Sequence, residues 1–138
     1  MDWILRRLAC GSFDDALTVA TSPVPIDRIL SLSERAVPHG ALASTTHAHH
    51  EPIPDETWLP PDLWTKRVET LRVFLNAGAT VLVHCRLGVS RAPALCAAYL
   101  IHCGMAPDEA RQFVEARRAV ASMHPKTWQG VVEWSAQR

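Results

Sequence analysis

The sequence has no excess charge of either sign. Lysine plus arginine and aspartate plus glutamate both number 14, so no overall field draws the chain onto nucleic acid or a membrane. Lysine is nearly absent, occurring at Lys66 and Lys126 only; the basic residues are mostly arginine, which we read as a matter of composition. No apolar run reaches bilayer length, since the longest, Ala92 to Ile101, is too short to cross. Met1-Asp2-Trp3-Ile4 lacks the basic-then-apolar order of a secretory leader, so a cytoplasmic location is the expectation. The cysteines, Cys10, Cys85, Cys96 and Cys103, form no CxxC pair, which leaves zinc unsupported. In a reducing compartment four free thiols are expected, with Cys10, Cys96 and Cys103 as small core residues. Repeats, linkers and low-complexity tracts are missing as well. What remains is 138 residues, 48% hydrophobic, enough to build one core and read as a single domain over 1–138.

Along the chain, Trp3 to Leu8 reads as a strand followed by a turn at Cys10-Gly11-Ser12. Asp14 to Ala20 reads as a short helix with Ser12 as its cap. Arg28 to Leu32 is apolar enough for a buried strand, and Thr45 to His50 reads as another. Pro52, Pro54, Pro60 and Pro61 exclude helix interior and central strand from the stretch they punctuate. Asp62 is placed to open a helix in which Trp64, Val68, Leu71 and Leu75 recur at i, i+4, i+7 and i+11, with Asn76-Ala77-Gly78 closing it. Thr80 to Val83 is a continuous apolar run, the pattern of a strand buried on both faces. Three more helices are expected: Arg91 to Cys103, apolar nearly all round; Pro107 to about Arg118, with acidic residues in its first turn; and one opening at Pro125, with Trp128, Val131, Val132 and Ser135 inward. The alternation implies an α/β fold: a small sheet of about four to five strands, mostly parallel, with helices on both faces.

The chemistry concentrates in His84-Cys85-Arg86-Leu87-Gly88-Val89-Ser90-Arg91. A cysteine at the end of a buried strand, before a glycine-bearing loop and a helix start, sits where backbone N–H groups converge. Such settings favour a thiolate and bind an oxyanion. The amides of Arg86, Leu87, Gly88, Val89, Ser90 and Arg91 are the expected phosphate ligands. Gly88 permits a backbone angle or approach that a side chain would obstruct. Arg91 is suited to hold two phosphate oxygens at once. Ser90 is placed to hydrogen-bond the sulfur, and His84 to orient the loop from behind. These residues together point to phosphomonoester chemistry through a cysteine nucleophile.

His84-Cys85, five residues, then Arg91 resembles the signature loop of the cysteine-dependent protein tyrosine phosphatase superfamily. The full stretch to Ala92-Pro93 looks like its dual-specificity branch. Leu8 to Ala16 resembles that branch's opening strand; Ala98-Tyr99-Leu100, Asp108-Glu109-Ala110, Phe113-Val114 and Arg117-Arg118 resemble its later helices. The resemblance implies hydrolysis of phosphotyrosine, and of phosphoserine and phosphothreonine, in proteins or peptides through a phosphocysteine. It implies a general acid on a loop about thirty residues before the cysteine, where Asp55 stands, with Glu56 as the runner-up. It also implies an asparagine brace after the double arginine. Ala121-Ser122-Met123-His124-Pro125 has none, which leaves Ser122 or His124 as substitutes.

No cofactor or metal is expected, and a monomer is. His39, His47, His49 and His50 lack an accompanying ligand framework. Competing readings are a phosphoinositide or RNA 5′-triphosphate phosphatase on the same fold, a rhodanese-like sulfurtransferase, and a binding-only pseudophosphatase. The loop has no lysine, it is one residue longer than the sulfurtransferase loop, and Cys85 and Arg91 are both retained. Each fact weighs against one rival in turn.

Overall fold

The computed structural model describes residues 1–138. It opens with two strands where the sequence predicts one. Asp2–Leu5 (β1) and Leu8–Gly11 (β2) pair antiparallel, with Trp3 opposite Ala9. The turn falls at the exposed Arg6-Arg7 pair instead of at Cys10-Gly11-Ser12. Leu8, Ala9 and Cys10 are fully buried, and extended pairing inside the sheet is what satisfies their backbone groups. Ser12 caps the next helix as expected: its Oγ accepts from Asp15 N, while the Asp15 carboxylate accepts from Ser12 N. That helix, Phe13–Leu17 (α1), is shorter than its prediction and passes into a 3₁₀ turn at Val19–Thr21.

Arg28–Ser31 (β3), His47–His50 (β4) and Val81–His84 (β5) complete a five-stranded sheet in the order β1-β2-β5-β3-β4. Every pairing except β1–β2 is parallel. β5 lies between β2 and β3, with His84 level with Gly11 on one side and Ser31 on the other. The three chain segments leaving those strand ends therefore emerge side by side.

Four longer helices pack on the sheet: Pro61–Asn76 (α2), between β4 and β5, and Arg91–His102 (α3), Pro107–Arg117 (α4) and Pro125–Ala136 (α5), after β5. Pro60, not Asp62, occupies the cap of α2; Pro61 needs no hydrogen-bond acceptor in the first turn, which moves the start forward and leaves Asp62 inside it. Trp64, Val68, Leu71 and Leu75 are buried as their spacing predicts. In α5 the inward face is Trp128, Val131 and Trp134; Val132 is exposed and Ser135 half-buried, because the 3.6-residue period returns to the core at Trp134. Cys103 is exposed as well, lying past the last turn of α3, whereas Cys10 and Cys96 are buried. All four cysteines are free.

Alternation along β5 divides the core. Val81 and Val83 join the large cluster with α2, α3, α4 and α5. Leu82 joins Ala9 and Ile29 in a smaller one under α1, with Phe13, Val19, Ile26 and Val37. Helices thus cover both faces, heavily on one and thinly on the other. No helix is long and apolar enough to cross a membrane.

Candidate active site

The sequence Cys85 to Ser90 bridges β5 and α3, and its backbone polarity is sorted into inside and outside. The Cys85 carbonyl accepts from His84 Nδ1 at 3.2 Å. The Arg86 carbonyl accepts from Phe13 N at 2.9 Å, and that of Val89 from Ser122 N at 2.7 Å. Arg118 donates to the carbonyls of Gly88, at 2.6 Å, and Leu87, at 3.5 Å. With the carbonyls engaged from outside, the amides of Arg86, Leu87, Gly88, Val89, Ser90 and Arg91 have no acceptor within the protein. Donors left over at a helix start form an anion site. Cys85 is buried beside them, its Sγ accepting from Ala92 N at 3.4 Å. It opens into a cavity of about 280 Å³ lined by the loop together with Asp55, Glu56, Ser122 and His124.

His84 supports the loop from beneath. A carbonyl only accepts, so Nδ1 carries the proton it donates to Cys85 O; the Nε2 of the neutral ring then accepts from the Ser31 hydroxyl at 2.6 Å. Burial pushes the ring's pKa below its ordinary value, with the Cys85 carbonyl acting in the opposite sense. Gly88 has φ +69°, and a Cβ there would stand 2.6 Å from the backbone of Gly11 and closer still to Arg118. The glycine is required by both conformation and space.

Sequence reasoning missed the importance of Arg118. The side chain is buried and joins Asp2 Oδ2 at 2.8 Å as well as the two loop carbonyls. Nothing in Arg117-Arg118 says which of the two turns inward; the helical phase of α4, ending at Arg117, decides it. The expected side-chain brace from Ser122 or His124 is not what forms. Ser122 and His124 both contribute backbone amides, to Val89 O and to Ser90 Oγ at 2.8 Å, while the His124 ring accepts from Lys126 N at the start of α5. Arg118 supplies the side-chain donors to the loop carbonyls on that side.

Arg91 is 2% exposed at the first position of α3. Its Nη1 donates to Glu34 Oε1 at 2.7 Å and to the carbonyl of Ile53 at 3.0 Å. Its Nε lies 3.5 Å from Asp55 Oδ1. One nitrogen is held from behind, while the Nε edge faces the cavity wall that carries Asp55. Glu34, also absent from the sequence reading, has its carboxyl held below the usual range, first by its own backbone N–H and then by Arg91. Its signal was the β3–β5 register: residues just beyond Ser31 lie level with those just beyond His84.

Asp55 lines the cavity, where the family resemblance implies an acid. Ile53 is buried and fastened by its N–H to Leu32 O at 3.0 Å; two residues on, Asp55 is 49% exposed and its carboxylate accepts from Glu56 N. Glu56 lines the same cavity with φ +50°, so the runner-up acid is also at hand. The histidines of β4 lie elsewhere: His49 packs against the Phe74 ring at a tilt, and His50 bonds the Ser33 carbonyl.

Residues 11–137 match the family model described as dual specificity phosphatase, catalytic domain. Dual specificity protein phosphatase 5 of Rattus norvegicus is 34% identical over 101 residues, covering 70% of this chain and 25% of that protein. Dual specificity protein phosphatase 1 of Homo sapiens is 34% identical over 80 residues, 55% of this chain and 22% of that one. The chain therefore spans about a quarter of the length of these relatives. The crystal structure of human DUSP28 shares the fold, with a TM-score of 0.87 at 23% identity over 99% of this chain and 96% of its own. The family match begins in the strand beside the Cys85 loop and takes in Asp55, Arg91 and Arg118 alike: the chain belongs to the dual specificity phosphatase catalytic-domain family.

Proposed function

We propose that the chain hydrolyses phosphomonoesters on proteins, phosphotyrosine foremost and phosphoserine and phosphothreonine with it, through a phosphocysteine on Cys85. In the first step the Cys85 thiolate attacks phosphorus in line. The S–P bond forms, the P–O bond to the leaving group breaks, and Asp55 gives its proton to the departing oxygen. The loop amides and Arg91 stabilise the equatorial oxygens throughout. In the second step water attacks phosphorus, Asp55 takes the water proton, and the S–P bond breaks to release phosphate and thiolate. Ser90 Oγ already accepts from His124 N, which leaves the hydroxyl proton to donate to the leaving sulfur.

The observation that carries this reading is the sorted loop: carbonyls bonded outward, amides and Arg91 gathered about one buried cysteine. Because these groups neutralise the phosphoryl charge, the scheme uses no metal or cofactor. A monomeric, cytoplasmic enzyme without nucleic-acid or membrane partners completes the proposal.

The test is turnover of p-nitrophenyl phosphate and of phosphotyrosine peptides by the purified chain. Cys85→Ser should lower turnover by about 10⁴-fold or more while phosphate binding persists. A wild-type protein inert towards both substrates would overturn the reading.

A further inference from the structure

Pro54 to Trp58 are five consecutive exposed residues between two buried ones, Ile53 and Leu59. Asp55, the proposed acid, is the second of the five. Their backbone makes no hydrogen bond to any other backbone group. Inside the run, Thr57 Oγ1 donates to the Asp55 carbonyl at 2.7 Å and Glu56 N to the Asp55 carboxylate at 3.0 Å. These bonds close the turn on itself and fasten it to nothing else. Glu56 has φ +50°, a left-handed backbone that a residue other than glycine keeps where its surroundings fix it. The surroundings that do so belong to α5. A Cβ on Gly130 would stand 3.0 Å from the Leu59 carbonyl oxygen, so helix and chain meet there backbone to backbone. One residue before Leu59, the Trp58 indole Nε1 donates to Glu133 Oε2, and Gln129 Nε2 donates to the other oxygen of that carboxylate at 3.4 Å. The indole is 43% exposed and borders an open cleft of about 480 Å³ shared with Glu56, Thr57 and Lys126, so packing does little to hold it. Apart from the approach of Asp55 to Arg91, the Trp58–Glu133 bond is the run's one side-chain tie to another element.

We propose that Glu133 is a positioning residue for Asp55. By holding the Trp58 indole it fixes the far end of the exposed run, and the short turn between carries that constraint back three residues to the carboxylate. Glu133 touches neither the catalytic cavity nor any group in it. Its effect is therefore confined to the step that needs Asp55, the transfer of a proton to the leaving oxygen. The inference rests on the acid role proposed above for Asp55.

Its test compares kcat on phenyl phosphate, a poor leaving group, with kcat on p-nitrophenyl phosphate, a good one. Glu133→Ala and Trp58→Phe should each lose about tenfold on the first and about twofold on the second, with KM little changed. The two act through one bond, so the double variant should lose no more than either single one. Glu133→Gln keeps an oxygen that accepts from the indole, and should stay within about twofold of the wild type on both substrates. In an Asp55→Asn background, Glu133→Ala should cost nothing further. Trp58 is exposed and Glu133 half-buried, so none of these changes opens the core. Suppose Asp55→Asn shows its own leaving-group-dependent loss. A Glu133→Ala loss equal on both substrates, one that multiplies with Trp58→Phe, or one that persists on top of Asp55→Asn would then overturn the positioning role alone. Equal losses on both substrates in Asp55→Asn itself would instead remove the acid role, and this proposal with it.

Discussion

Each carbonyl from Cys85 to Val89 is bonded, to partners drawn from His84, α1, the end of α4 and the segment before α5. Asp55, on the opposite wall of the same cavity, is attached mainly through Ile53 two residues earlier and is half exposed. The proposed phosphate cradle is over-determined and the proposed proton donor is not. An anion must find its donors already arranged, since reorganising them during the reaction would raise the barrier. A proton donor needs only to be within reach when the leaving oxygen departs, and a loosely tethered carboxylate satisfies that. The two walls should therefore answer differently to substitution: the flap in activity alone, the loop in activity and stability together.

After the loss of the nucleophile itself, the largest effect expected is on the Asp55 wall. Asp55→Asn should lower kcat for phosphotyrosine peptides by about 10²–10⁴-fold, and far less for p-nitrophenyl phosphate, whose leaving group needs little protonation. Its melting temperature should stay at the wild-type value. Equal losses on both substrates would remove Asp55 from the acid role and turn attention to Glu56.

On the loop, Gly88→Ala places a side chain at positive φ against Gly11 and Arg118. The strain should cost about 2–4 kcal/mol, or roughly 10 °C in melting temperature. The accompanying loss of activity should be the same for good and poor leaving groups, because the cradle serves every phosphoryl oxygen alike. A leaving-group-dependent loss would break the contrast between the walls.

The smallest effect concerns His84 beneath the loop. Its pKa is lower in the folded chain than in the unfolded one, so below pH about 6.5 the unfolded state binds the extra proton. The stability tied to the neutral ring is complete above that pH and is lost as pH falls through it towards the folded value. His49 and His102 shift in the same direction, by burial first in each case. Urea unfolding at pH 7.5 and 5.5 should show the loss, and His84→Gln should flatten it. An unchanged slope in the variant would assign the effect to the other two histidines.

Much of this was legible in the sequence because it is local. The helical stripe of Trp64, Val68, Leu71 and Leu75, the Ser12 cap, and the order of Cys85, Gly88, Ser90 and Arg91 are all set within a few residues. Asp55 was located by resemblance, and the structure brings it to the same cavity. What escaped the sequence depends on phase or on partners far along the chain. Glu34 meets Arg91 only because β3 lies in register beside β5, and Arg118 is distinguished from Arg117 only by which way the end of α4 faces. The missing asparagine left the brace open between two side chains, whereas backbone amides and an arginine do that work. The early hairpin failed for a related reason: Arg6-Arg7 marks no turn by residue type, and the second strand shows itself only once Leu8 finds Val81 beside it.

The ties of Arg91 to Glu34 and Ile53 close loops of 57 and 38 residues, and the bond of Arg118 to Asp2 joins positions 116 apart. Local helices form long before contacts of such separation can be made. Catalytic competence is therefore among the last properties the refolding chain acquires. A phosphate ligand added during refolding would bind only molecules in which these distant segments have met.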